Sequence, residues 1–105
     1  MKKQKMNIEE LKSSILLNDD DCSMVQSKFS GSYPYLMNKV STRYFYLIEG
    51  ESLFDIAGEI NQVHAWDIVM VPPNTKYKFE GNFEAVIIDT PKFDELQEIV
   101  FDDKN

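Results

Sequence analysis

Between Thr42 and Pro91 short apolar runs alternate with clusters of turn-forming residues. The runs fall at residues 44–48, 53–56, 68–71 and 83–88. Between and beside them stand Glu49-Gly50-Glu51, Ala57-Gly58-Glu59, Pro72-Pro73-Asn74 and Glu80-Gly81-Asn82. β-branched and aromatic runs at this spacing predict antiparallel strands folded into a sandwich or barrel. Upstream, residues 22–29 read as a strand broken by Ser30-Gly31-Ser32, and residues 33–40 as an extended segment with Pro34 at an edge or a strand start. Asn7 with Glu10 three residues later resembles a helix capping box, followed by Ile8, Leu11, Ile15 and Leu16 at helical spacing. Residues 15–17 equally fit the opening of a first strand. Residues 95–101 fit a short helix through Leu96, Ile99 and Val100, or a strand over 99–101.

Strand alternation sorts the central side chains into two faces. Arg43, Phe45 and Leu47 share one face, and Tyr44, Tyr46 and Ile48 the other. Both faces are apolar, so cover is expected on both sides. One side is the barrel interior. The other calls for a second copy of the chain or for the amino-terminal segment, because large exposed apolar patches are rare on monomers. Homodimerisation is the economical expectation. Tyr33, Tyr35, Tyr44 and Tyr46 form an aromatic cluster that suits an interface or core, or stacking on a sugar.

A length of 105 residues implies one domain, 1–105, with a core large enough to need no staples. The formal charge of −7 argues against nucleic acid as a partner. Lys2, Lys3 and Lys5 in residues 1–6 read as a disordered tail. The single cysteine, Cys22, excludes an intrachain disulfide and suits a reducing compartment. It follows Asp19-Asp20-Asp21, whose carboxylates disfavour a thiolate, so its expected role is structural. No apolar run approaches the ~20 residues of a membrane span. A cytoplasmic protein with no membrane partner is the expectation.

These features resemble the cupin family, over residues 42–91 and more weakly beyond. Its first motif runs Gly, five residues, His-x-His, three or four residues, Glu, six residues, Gly. Gly50 matches the closing glycine, which puts Arg43 at the glutamate position and Met37 and Lys39, or Leu36 and Asn38, at the histidines. In the second motif Trp66-Asp67 replaces a Gly-Asp turn, and Pro72 matches the proline. Asn74 takes a glycine position, which suits a left-handed turn. Tyr77 stands at the third histidine and Gly81 at the asparagine. The resemblance implies an all-β, cupin-like double-stranded β-helix, a jelly-roll barrel, here with short terminal helices.

The scaffold residues match and the metal ligands do not. A transition metal needs several imidazole or carboxylate donors converging on one point, whereas Arg43 puts a permanent cation there. Neither metal nor any other cofactor is expected. The resemblance points Arg43, Phe45, Leu47, Phe54, Val69, Val71, Tyr77 and Phe79 into the barrel. Arg43, Tyr77, Phe45 and Phe54 are the candidate ligand-binding residues, and Tyr77 the candidate proton donor. An inward guanidinium must be paired by an internal carboxylate or await an anionic or polyhydroxyl ligand. His64, the chain's one histidine, is expected outside, because Val63 takes the inward position.

Three functions fit this sequence. The first is a metal-free binding module for a small polar or anionic molecule, such as a carbohydrate derivative. The second is a cofactor-free isomerase, epimerase or lyase using Arg43 and Tyr77. The third is an interaction protein whose barrel is filled by side chains. A cavity of about 300 Å³ or more favours the first two, and a packed interior the third.

Overall fold

The computed structural model describes residues 12–101. β1 (Lys12–Asn18) and β2 (Ser23–Ser32) form an antiparallel hairpin, and β3 (Leu36–Asn38) is short. β4 (Thr42–Ile56) and β5 (Glu59–His64) form a second hairpin, followed by β6 (Ile68–Val71). The long β7 (Tyr77–Thr90) then runs antiparallel to β4, and β8 (Glu98–Val100) closes the described chain. The architecture is the expected all-β jelly roll.

The terminal helices need correction. Residues 95–97 form only a single 3-10 turn, whose start is capped by the Asp94 carboxylate accepting the Leu96 N–H. Residues 15–17 lie in β1, so the strand alternative holds there. The helix start at Asn7 and the basic tail fall outside the described residues. β5 carries too few apolar side chains to stand out in the sequence; of its six residues only Val63 is buried.

Two glycine clusters read as turns are crossings instead. β4 continues through Glu49-Gly50-Glu51, and β7 through Glu80-Gly81-Asn82. At these points the two strands press together, Gly50 opposite Phe83 and Gly81 opposite Ser52. A Cβ on Gly50 would sit 2.2 Å from the Asn82 carbonyl oxygen, and one on Gly81 2.4 Å from that of Glu51. Both glycines have positive φ, 91° and 141°. The glycines therefore bend paired strands rather than end them. By contrast, Ala57-Gly58 and Pro73-Asn74 are true turns, and Asn74 adopts the left-handed φ of 58° expected of it.

The bend divides the strands into two facing layers. One is β1-β2-β7-β4-β6, using the second half of β7 and the first half of β4. The other is β5-β4-β7-β3-β8, using the remaining halves. A register shift between Leu47 and Glu49 inserts one residue into β4. Side chains switch parity there. Arg43, Phe45 and Leu47 face inward before it, and Ser52 and Phe54 after it. β7 has no such shift, so Tyr77, Phe79, Phe83, Ala85 and Asp89 are all buried on one face.

The interior is aromatic. Phe54 stacks on Phe79 at 5.1 Å between centroids and meets Phe45 edge-on at 5.0 Å. Phe29 meets Phe79 edge-on at 5.2 Å, which ties the two layers together. All eight residues expected to point inward are buried. The aliphatic and phenylalanine side chains among them each contribute roughly 1.5–3 kcal/mol relative to an exposed one.

Candidate functional site

The interior is not completely filled. A cavity of about 440 Å³ opens at one end of the barrel, lined by residues of β1, β2, β3, β4, β7 and β8. This exceeds the roughly 300 Å³ at which ligand pockets begin and favours the binding and enzyme readings over a filled barrel. Its wall is mostly apolar, including Val25, Phe29, Leu36, Phe45 and Ile87. Phe93, on the segment after β7, forms part of the rim and lies over the Arg43 guanidinium at 5.6 Å.

Charged groups gather at one wall. Arg43 and Asp89 are directly opposed on β4 and β7, with side chains on the inner face. The Arg43 Nε–H donates to Asp89 Oδ1 at 2.7 Å and an Nη2–H to Asp89 Oδ2 at 2.9 Å, a bidentate pair. Nη1 donates to the Tyr77 hydroxyl at 2.9 Å and to Glu98 Oε2 at 3.1 Å. The second Nη2 donor goes to Glu98 Oε1 at 3.1 Å. A guanidinium has five N–H donors, and all five have acceptors here. Asn38, paired with Glu98 across β3 and β8, donates Nδ2–H to Glu98 Oε1 at 2.8 Å. Its Oδ1 accepts the N–H groups of Val40 and Ser41, so the turn entering β4 holds Glu98 in place.

The balance of charge is set by burial and pairing. Burial works against the Arg43 cation, but Tyr77, Asp89 and Glu98 outweigh it and hold its pKa above the ordinary value. Burial pushes the Tyr77 hydroxyl up to about 12, partly opposed by the nearby Arg43. Tyr77 therefore stays protonated at neutral pH. It accepts from Arg43, and among the described residues no acceptor takes its own O–H.

The expected site residues divide. Arg43, Tyr77 and Phe45 line the cavity together. Phe54 does not; it lies fully buried beneath Phe45 and Phe79, a core residue rather than a contact surface. The tyrosine cluster also separates. Tyr33 lines the cavity, while Tyr35 donates to Asp55 Oδ2 and lies under the Lys76 and Lys78 ammonium groups. Tyr44 and Tyr46 are half-buried on the outer face of β4. His64 is exposed beside Asp67 at 3.6 Å, away from the cavity. Asp89 and Glu98 were missed in the sequence. The alternation of β7 places Asp89 on the inner face with Phe79 and Ile87, a signal available had the strand been followed through Gly81. Glu98 has no local signal, since a three-residue strand brings it to the site.

The donor set does not fit a divalent transition metal. A guanidinium occupies the place of the cation, and both nearby carboxylates are engaged by it. Among the described residues no group of three or more His, Cys, Asp or Glu converges on a point. No helix among them is long and apolar enough to cross a membrane.

No protein-family model matches the chain, and no curated protein matches it in sequence. Solved structures do. A Tyr-to-Phe variant of Streptomyces Pac13 with uridine has a TM-score of 0.78 at 26% identity, over 96% of this chain and 92% of that one. Pac13 is a nucleoside dehydratase. KdgF from Halomonas has a TM-score of 0.71 at 16% identity, over 89% of this chain and 91% of that one. The cupin domain of Schizosaccharomyces pombe Cnp3 gives 0.70 at 13% identity, over 86% and 70%.

Proposed function

We propose a ligand for a chain whose fold makes it a small cupin-like protein: a small neutral molecule rich in hydroxyl groups, of nucleoside or carbohydrate type, bound in the cavity beside Arg43. The observation that carries this is the saturated guanidinium. With five acceptors already in place, Arg43 has no N–H left for an incoming anion. One cation against the two carboxylates of Asp89 and Glu98 leaves this wall with a net charge of −1. The anionic ligand expected of an unpaired guanidinium therefore loses its basis. Arg43 instead acts as the hub that holds acceptors in position. The remaining lone pairs of Asp89 and Glu98 suit hydroxyl donors, and the Tyr77 O–H suits an acceptor on the same molecule. The apolar remainder of the cavity suits a ring. The likeness to Pac13 with uridine makes a nucleoside the first compound to try.

Isothermal titration with uridine, ribose and uridine 5′-monophosphate tests this. Neutral compounds should bind at least about tenfold more tightly than the phosphate, equivalent to roughly 1.4 kcal/mol. Tighter binding of the phosphate would overturn the reading.

A second reading, a cofactor-free carbon–oxygen lyase, is favoured by one further observation. The site holds a protonated tyrosine within reach of the same guanidinium that holds two carboxylates, so a proton donor and proton acceptors share one wall. Arg43 does not suit the oxyanion role, because its donors are occupied. Proton NMR of the titration mixtures decides between binding and turnover.

The proposal includes a homodimer through the outer face of β4. Tyr44, Tyr46, Ile68, Met70 and Trp66 form an uncharged stripe there, with Ile68 64% and Trp66 69% exposed. A second copy suits it, because an uncharged stripe can face itself without repulsion in a chain of net charge −7. Trp66 also holds a positive φ of 78°. A bulky residue in that conformation carries strain, of a kind that clusters at functional sites.

A further inference from the structure

The Tyr33 hydroxyl is the one buried side-chain polar atom among the described residues that has no hydrogen-bond partner. Tyr33 is 8% exposed and lines the same cavity as Arg43. Its ring is held by aromatic contacts. It stacks on Phe79 at 4.4 Å and meets Phe29 edge-on at 5.3 Å. Its backbone N–H is tied to the Phe79 carbonyl at 3.0 Å. Burial raises its pKa, with Tyr77 adding to the effect, so the hydroxyl is a permanent donor. Buried tyrosine hydroxyls ordinarily find partners, and leaving one unmade is costly. An orphan donor held rigidly in a cavity wall calls for an acceptor from outside the chain.

We infer that Tyr33 is a specificity-determining residue that donates to a carbonyl-type acceptor on the ring of the ligand, while the Arg43-centred wall takes the ligand's hydroxyl groups. The inference rests on the ligand reading above and narrows it. The cavity then selects a two-ended molecule, with a hydroxylated part at Asp89, Glu98 and Tyr77 and a planar, carbonyl-bearing ring lying against the aromatic wall of Phe29, Phe79 and Tyr33. A free sugar satisfies one end only. The aromatic wall around Tyr33 suits the face or edge of a planar ring.

Tyr33→Phe removes the donor and keeps the ring. Two measurements are made on it, and they fail separately. The first is thermal melting without any ligand. An orphan hydroxyl contributes nothing to the unliganded fold, so the variant should melt at or above the wild-type temperature. A fall of more than about 5 °C would mean that the hydroxyl is already partnered, for instance by water, and would overturn the inference. The second is titration with uridine and ribose. Uridine affinity should fall about 5- to 150-fold, the cost of leaving its carbonyl unpaired, while ribose affinity stays unchanged. Equal effects on both compounds, or none on either, would also overturn it. If neither compound binds wild type at all, the nucleoside or carbohydrate reading of the site fails, and the ligand class assigned to Tyr33 fails with it. The melting comparison still decides whether the hydroxyl is an orphan.

Discussion

Replacing Arg43 by methionine keeps an unbranched apolar stem and removes the charged hub of the site. Asp89 and Glu98 then lose their cation while remaining buried, with side chains only 5% and 14% exposed. Five charge-assisted hydrogen bonds disappear, but their energies do not sum, because they share one donor group and one desolvation cost. The better guide is the cost of stranding one side of a buried ion pair, roughly 3–5 kcal/mol. Unfolding entropy of about 2.1 cal/mol/K per residue over 105 residues gives roughly 0.22 kcal/mol/K. Arg43→Met should therefore lower the melting temperature by about 14–23 °C at pH 8. The pH dependence gives a second signature. An unpaired buried carboxylate favours its neutral form, so in the variant acidification relieves part of the cost of burying it. Relative stability is then retained at low pH and lost as pH rises, so the deficit should shrink between pH 8 and pH 5. Circular dichroism melts of wild type and variant at the two pH values measure both effects. A loss below about 1 kcal/mol at pH 8, or a deficit that grows on acidification, would show that Arg43 does not neutralise these carboxylates.

Gly50→Ala and Gly58→Ala form a matched pair, because both glycines have nearly the same φ, 91° and 92°. Nothing lies within 4 Å of a Cβ on Gly58, so that change should cost only backbone strain, about 1–3 kcal/mol. The Gly50 Cβ would strike backbone at 2.2 Å, and a loss beyond about 4 kcal/mol is expected in urea denaturation; equal costs would refute the close approach of β4 and β7. Ile68→Glu places a charge in the middle of the outer stripe. Sedimentation at tens of micromolar should show a dimer for wild type and a monomer for the variant, and a monomeric wild type would remove the dimer proposal.

Much of the fold was legible in residue pattern alone. Alternation is a local property of an extended chain, so Arg43, Phe45 and Leu47 could be sorted onto one face without knowing what they pack against, and the resemblance to cupins pointed that face inward together with Tyr77 and Phe79. Pro72 and Asn74 also marked a real turn, because their backbone preferences are intrinsic. Gly50 and Gly81 misled for a physical reason. A glycine is needed where a chain turns and equally where two backbones touch, and only the pairing of β4 with β7 distinguishes the cases. That pairing also made two predicted strands, over 44–48 and 53–56, into the single β4, and extended the one predicted over 83–88 back to Tyr77.

The chemistry of the site depended on tertiary structure far more heavily. The resemblance implied that a guanidinium faces inward and left open whether a carboxylate of the chain or a ligand would meet it. Asp89 reaches Arg43 across the register of β4 and β7, and Glu98 reaches it from a three-residue strand more than fifty positions away. Alternation along β7 could have put Asp89 on the inner face, but neither its pairing with Arg43 nor that of Glu98 leaves a trace in local pattern, because an ion pair constrains positions in space and not spacing along the chain. The orphan hydroxyl of Tyr33 is the complementary case. Its sequence neighbours place it among other tyrosines, and only the closure of two layers around a cavity shows that its donor has no partner in the chain.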